Sequence, residues 1–191
     1  MSTLPELVAE LTSGDDEKAT VAAEKIAGYG EEALSALQEL LVSQDPDIRW
    51  WALRAVAEIH SVRTCELLVE ALHDPHPAVR QCAALGLRLN PHPSAVPRLI
   101  GALDDQDRLY ASLAANALVA IGDAAVPALI EVAESGRRRA QIEAVRALAM
   151  IGDKRAIPTL FAALGEDSAM LEYWADEGLE RMGVGMVYFN P

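Results

Sequence analysis

A small residue returns every 30 or 31 positions along this chain, as Ala22, Ala52, Ala83, Ala114, Ala144 and Ala175, with spacings of 30, 31, 31, 30 and 31. Four residues after each alanine stands Ile26, Val56, Leu87, Leu118, Leu148 or Leu179, and three further on comes Tyr29, Ile59, Asn90, Ile121, Ile151 or Met182. Offsets of four and seven keep one stripe of an α-helix apolar, so each alanine marks a helix. A second series runs through Pro5, Ser35, Glu66, Pro97, Pro127 and Pro158 with the same five spacings, and two residues after each comes Leu7, Leu37, Leu68, Leu99, Leu129 or Leu160. Proline suits the first turn of a helix, where no intrahelical bond is lost. Each period therefore holds two helices.

Gly30, Gly122, Gly152 and Gly183 follow the first helix of their units, where a left-handed residue often ends a helix. His60 and the stretch Asn90-Pro91-His92-Pro93 replace that glycine in two units. Asp45-Pro46 and Asp74-Pro75 read as N-caps followed by first-turn prolines. One helix pair buries a single face, so neighbouring pairs must stack to complete a core. The expected fold is all-α, a right-handed superhelical α-solenoid of about 12 helices. Composition agrees, being 51% hydrophobic but only 5% aromatic, a balance that favours helices rich in Ala and Leu. The recurrent alanine lets the paired helices approach closely, and a larger side chain there would overpack by about 1–3 kcal/mol.

Asp74-Pro75, Val79-Arg80, Ala83 and Leu87, then Ile121-Gly122-Asp123, Ala125-Val126-Pro127 and Leu129-Ile130, resemble the short HEAT-like repeats of the phycobilisome lyase family. The arginine of that pattern is present at Arg49 and Arg80, while Ala19, Ala111, Gln141 and Glu172 hold its place in other units. The resemblance covers nearly the whole chain. It implies a HEAT-like fold, whose members serve bilin attachment, assembly and unrelated scaffolding. One HEAT-like repeat domain is expected over residues 1–191: a capping half-repeat at 1–13, five helix pairs at 14–165, a capping helix at 166–183 and an apolar tail at 184–191. Lys25, Glu10 and Asp176 put polar groups into columns that are small or apolar in other units, as capping units require, so the array is expected to be complete. The tail, Val184-Gly185-Met186-Val187-Tyr188-Phe189-Asn190-Pro191, is suited either to cover the open end of the stack or to dock a partner.

The formal net charge is -13 and the pI near 4.6, a field that repels phosphate backbones and anionic membrane surfaces and attracts cations. No nucleic-acid or membrane partner is expected. Cys65 and Cys82 form no CxxC, and the N-terminal residues carry neither a basic segment nor a long apolar run, so a soluble, cytoplasmic protein is expected. Cys65 falls in a column of aliphatic residues and reads as a core position. His60, His73, His76 and His92 all fall at turns without ligand spacing, and neither a metal nor a cofactor is expected.

Candidate partner-binding residues come from two surfaces. The second-helix columns expected to face the groove carry Glu6, Glu39, Glu66, Glu70 and Glu131 against the single Arg98. These form either an acidic docking row or ordinary solvated helix positions. Trp50 stands in a column with Thr20, Gln81, Ser112 and Ile142 and should face solvent on the convex side, with Arg54 one turn on. The two make either a contact anchor or a local stack of Arg54 on the ring. Trp51 and Trp174 share a semi-buried column, and Arg137-Arg138-Arg139 and Lys154-Arg155 read as solvated turns.

The leading functional expectation is a non-enzymatic interaction scaffold that binds a basic or amphipathic polypeptide in an acidic groove, with no catalytic residues. The alternative, implied by the resemblance, is a subunit of a bilin lyase or related chromophore-handling complex.

Overall fold

A computed structural model describes residues 2–184, and over these the chain is all-helical, with twelve α-helices and no strand. The residues group into two compact units that divide between Ala95 and Val96. The first unit contains α1 (Leu4–Leu11), α2 (Asp16–Ala27), α3 (Glu31–Leu41), α4 (Pro46–Ala57), α5 (Val62–Ala71) and α6 (Pro77–Leu89), then a 3-10 turn at Pro93–Ala95. There α4 packs between α2 and α6, while α1 packs on α2, α3 on α4 and α5 on α6. The second unit contains α7 (Val96–Ala102), α8 (Arg108–Ile121), α9 (Val126–Ser135), α10 (Arg138–Ile151), α11 (Ile157–Ala163) and α12 (Ala169–Arg181). Its α10 lies between α8 and α12, with α7, α9 and α11 covering that layer. Both units thus place the first helices of the repeat in one layer and the second helices in another.

The periodic columns form the core of both units. Ala22, Ala52, Ala83, Ala114, Ala144 and Ala175 are fully buried, and so is the leucine series from Leu7 to Leu160. Removing a single leucine from water contributes about 2 kcal/mol, so a repeated leucine is a main source of stability at each layer. Gly30, Gly122, Gly152 and Gly183 have positive φ of 56, 73, 71 and 74°, which favours glycine; Gly152, with ψ of 25°, takes the left-handed helix-end conformation, whereas Gly30 and Gly122 pair their φ with ψ of -138 and -133°. Prolines open α1, α4, α6, α9 and α11, and Asp45 caps α4 through the Asp47 N–H at 2.9 Å.

One local expectation is corrected. Asp74 does not cap α6: the helix starts two residues later, at Pro77, with His76 in the N-cap position. Arg49 of α4 has claimed the Asp74 carboxylate, whose Oδ1 also accepts the His76 N–H at 2.8 Å and so caps the turn rather than the helix. Asn90, a polar break in an otherwise mostly apolar column, is buried. Its Nδ2 donates to Ala57 O at 2.7 Å and to Gly86 O at 3.1 Å, and its Oδ1 lies 2.7 Å from His60 Nδ1. The two positions where glycine is missing are therefore tied to each other. A side-chain amide holds backbone carbonyls near the ends of α4 and α6 where the other units rely on a glycine turn.

No described helix is long and apolar enough to cross a membrane. The tail expectation for residues 184–191 lies, apart from Val184, outside the described residues.

Candidate functional site

A second helix recurs once per repeat, so a residue two positions past the recurrent leucine returns on the same helix face at every period. Glu39 of α3 and Glu70 of α5 occupy that position in the first unit, and Glu131 of α9 in the second; all three are exposed. Glu66, one turn before Glu70, is exposed too. Gln38 beside Glu39 accepts a hydrogen bond from Arg63 of α5 at 2.7 Å, which links the exposed edges of α3 and α5. In the second unit Arg98 is exposed on α7, and a side chain built at Gly101 would meet no atom within 4 Å, leaving open space next to it. Glu6, expected in the same row, is used otherwise: its Oε2 accepts the Thr3 N–H at 2.7 Å in a capping box, and those Thr3 bonds hold its carboxyl below the usual range.

Glu70 also lines a cavity of about 250 Å³ with Gln38, Val42, Leu67, His73 and the pair Arg49–Asp74. Arg49 grips Asp74 with two parallel bonds, Nε to Oδ2 at 2.7 Å and Nη2 to Oδ1 at 2.8 Å, while its Nη1 donates to Ser43 O at 2.8 Å. Burial pushes the Asp74 carboxyl up, but the hydrogen bonds from Arg49 and from the His76 N–H outweigh it and leave the pKa below the ordinary value of 3.8. The same bond to Asp74 pushes Arg49 up. Arg80 repeats part of the device one unit on, donating to Asp74 O at 3.0 Å and Pro75 O at 3.3 Å. These arginines bridge the turns between repeats.

Trp50 departs from its expectation. It is half-buried rather than open to solvent, because its ring meets that of Trp51 edge to face, with centroids 4.8 Å apart and planes at 88°. Arg54 is also half-buried and forms an ion pair with Glu58 one turn on. Trp51 and Trp174 are half-buried, as their column implies.

Both thiols are free and buried. Cys82 donates weakly to Trp50 O at 3.9 Å, and burial pushes its pKa up to about 12. Burial likewise raises Cys65, against a partly offsetting contact with Ser94 Oγ at 3.7 Å. No group of three His, Cys, Asp or Glu side chains among the described residues could hold a metal ion.

Two polar networks escaped the periodic reading. Arg146 on α10 is 13% exposed and donates to Glu143 at 2.8 Å, to Asn116 Oδ1 at 2.9 Å and to Ser112 O at 3.2 Å, joining α10 to α8. The spacing Glu143-x-x-Arg146 is the signal that could have revealed it. The basic turns are not merely solvated. Arg137 reaches Asp104 at 2.9 Å, Arg138 reaches Glu166 at 3.1 Å, Arg139 donates to Asp105 O at 2.9 Å and Arg155 to Asp123 O at 3.0 Å.

The HEAT repeats family model matches residues 4–88 and 65–140, and the PBS lyase HEAT-like repeat matches residues 140–166. The chain belongs to the HEAT-repeat family. Among curated relatives, this HEAT-repeat chain is 38% identical over 93 residues to the phycocyanobilin lyase subunit beta of Pseudanabaena tenuis (strain PCC 7409). That stretch takes in 49% of this chain and 31% of the relative, so it spans under a third of the relative's length. Among solved structures, the complex of CpcE and CpcF of phycocyanin lyase from Nostoc sp. PCC7120 aligns with a TM-score of 0.58 at 24% identity, covering 96% of this chain and 78% of that one. A designed armadillo repeat protein in complex with the peptide (KR)4 aligns with a TM-score of 0.56 at 22% identity, covering 95% of this chain and 100% of that one. At these identities the structures establish the helical-repeat fold.

The sequence relative overturns one expectation, that the chain has no enzymatic role, because the protein it matches is a subunit of a lyase. The physical reason lies in the repeat itself. Periodic columns specify packing, and a chemical role carried by single positions on the surface, or by an assembled complex, leaves no periodic mark.

Proposed function

We propose that this HEAT-repeat chain is a subunit of a bilin lyase or a related chromophore-handling complex, and that it engages a basic or amphipathic segment of a protein partner through the exposed carboxylates of its second helices. The observation that carries the lyase reading is the 38% identity to the phycocyanobilin lyase subunit. Glu39, Glu66, Glu70 and Glu131 support the partner surface, since all are exposed and the net charge is -13. A field of one sign accelerates association with a partner of the opposite sign. Both thiols are buried, so bilin linkage to Cys65 or Cys82 forms no part of the proposal.

Two measurements test this. Purified protein is incubated with a bilin, alone and with captured partners from the native extract, and its visible spectrum is followed. A changed absorption band supports chromophore handling, and an unaltered spectrum in both conditions overturns it. The captured partner is then titrated against wild type and the combined variant Glu39→Lys, Glu70→Lys, Glu131→Lys. Exposed positions shift stability by about 0.5 kcal/mol each, so helicity should persist. Binding should weaken at least tenfold at low salt and lose most of that difference as screening sets in beyond a Debye length of about 8 Å. Equal affinities would remove the second-helix row from the interface.

A further inference from the structure

In the first unit, the turn after α1 and the start of α4 enclose an open cleft of about 550 Å³ whose lining includes Asp16, Asp45, Asp47, Trp50 and Trp51. We propose that this cleft binds an arginine side chain presented by a partner polypeptide, with the guanidinium stacked on tryptophan and paired with the aspartates.

The walls select the ligand. Trp50 and Trp51 stand at 88° to each other and form an aromatic corner; indole faces attract cations through their quadrupole. Both residues are half-buried and both line the cleft. Asp16, Asp45 and Asp47 bring three exposed carboxylates to the same cleft, and no basic residue lines it. Asp45 is partly engaged, since its Oδ1 accepts the Asp47 N–H. The carboxylates of Asp16 and Asp47 are left for another partner, while nearby cations are directed elsewhere: Lys18 pairs with Asp15 at 3.0 Å, Arg54 with Glu58, and Arg49 with Asp74. A cleft that offers aromatic faces and carboxylates together matches a planar cation able to stack and to donate to two carboxylates from its fork. Lysine fits less well, because its compact, strongly hydrated ammonium gains less from stacking. Anionic groups are repelled. The volume exceeds one side chain and leaves room for flanking backbone.

The site is built from α1, α2 and α4 and contains none of the second-helix glutamates, so its test is independent of theirs. The probe is acetyl-Gly-Arg-Gly-amide, a single-arginine peptide, compared with its lysine counterpart. The readout is the indole N–H resonances of Trp50, Trp51 and Trp174, which are the protein's three tryptophans. The arginine peptide should shift the Trp50 and Trp51 signals saturably while leaving Trp174 in place, with the lysine peptide about fivefold weaker. Asp16→Asn with Asp47→Asn, conservative changes at exposed positions, should weaken binding about tenfold at low salt. Trp50→Gln, a type tolerated in that column at Gln81, should abolish the Arg preference. The proposal falls if the two peptides bind alike, if Trp174 moves as much as the other two, or if neither variant changes the titration. It also falls if the protein forms a dimer that the paired aspartate variant dissolves, which would assign the cleft to a second copy of the chain.

Discussion

The two units share one apolar design and differ in how their turns are fastened. In the first, the fastening includes a shielded pair: Arg49 and Asp74 are 12% and 10% exposed and meet through two parallel bonds. In the second, the fastening is spread over surface arginines, of which Arg137 is 86% exposed, and over the half-buried network of Arg146. Solvent screens an exposed pair, and holding two long side chains together costs entropy, whereas a shielded bidentate pair cannot lose one partner without stranding the other. The repeat therefore conserves its packing columns while its polar joints vary from layer to layer.

The largest expected effect sets the two kinds of joint against each other. Arg49→Ala should destabilise the protein by about 2–3 kcal/mol, below the range for a deeply buried pair because this one lies just under the surface. Arg137→Ala should cost no more than about 0.5 kcal/mol. Urea denaturation of both variants checks this, and equal midpoints would break the contrast.

A second comparison concerns the close approach of helices. A Cβ at Gly178 in α12 would lie 2.7 Å from Ala149 Cβ and 2.9 Å from Ala149 Cα, so backbone must move. At Gly86 in α6 the obstacles are side-chain atoms, Leu68 Cδ2 at 2.7 Å, Ala57 Cβ at 3.1 Å and Leu68 Cδ1 at 3.2 Å. Gly178→Ala should therefore cost about 2 kcal/mol. Gly86→Ala should come out near neutral, since the gain of about 1 kcal/mol in helix propensity offsets the repacking. Melting temperatures that fall equally would show that α6 is packed as tightly as α12.

The smallest effect depends on pH. Asp74 has a folded pKa below its ordinary 3.8, so its contribution is present above that value and is lost as pH falls through the folded pKa. Asp74→Asn should cost about 1 kcal/mol at neutral pH and progressively less below pH 3.8. A wild-type advantage that is unchanged at pH 3 would separate the pair's stability from its ionisation.

Most of the architecture was legible because packing is periodic. The alanine and leucine columns fixed which faces are buried, and Gly122 and Gly152 fixed where helices end. The joints were less legible. Asp74-Pro75 looks like Asp45-Pro46, but aligning the alanines puts Asp74 opposite Ser43 and His76 opposite Asp45. Only the bond from Arg49, 25 residues away, shows that Asp74 serves the turn between units. The candidate surface was legible in part: Glu39, Glu70 and Glu131 are exposed, whereas Glu6 serves its helix cap and Trp50 is half-buried against Trp51. Asp16 and Asp47 were missed beside Trp50, since no periodicity links residue 16 to residue 50.

By itself, then, the sequence determined the repeat, the helices and the buried faces, because a 3.6-residue helix converts regular spacing into a face without reference to the rest of the chain. Tertiary structure alone decided which charges are engaged and which remain available. Side chains from neighbouring repeats compete for the same carboxylate, and the outcome turns on distances of an ångström or less. Asp74 taken by Arg49, Asn90 joined to His60, and Asp47 left open beside Trp50 are outcomes of that competition.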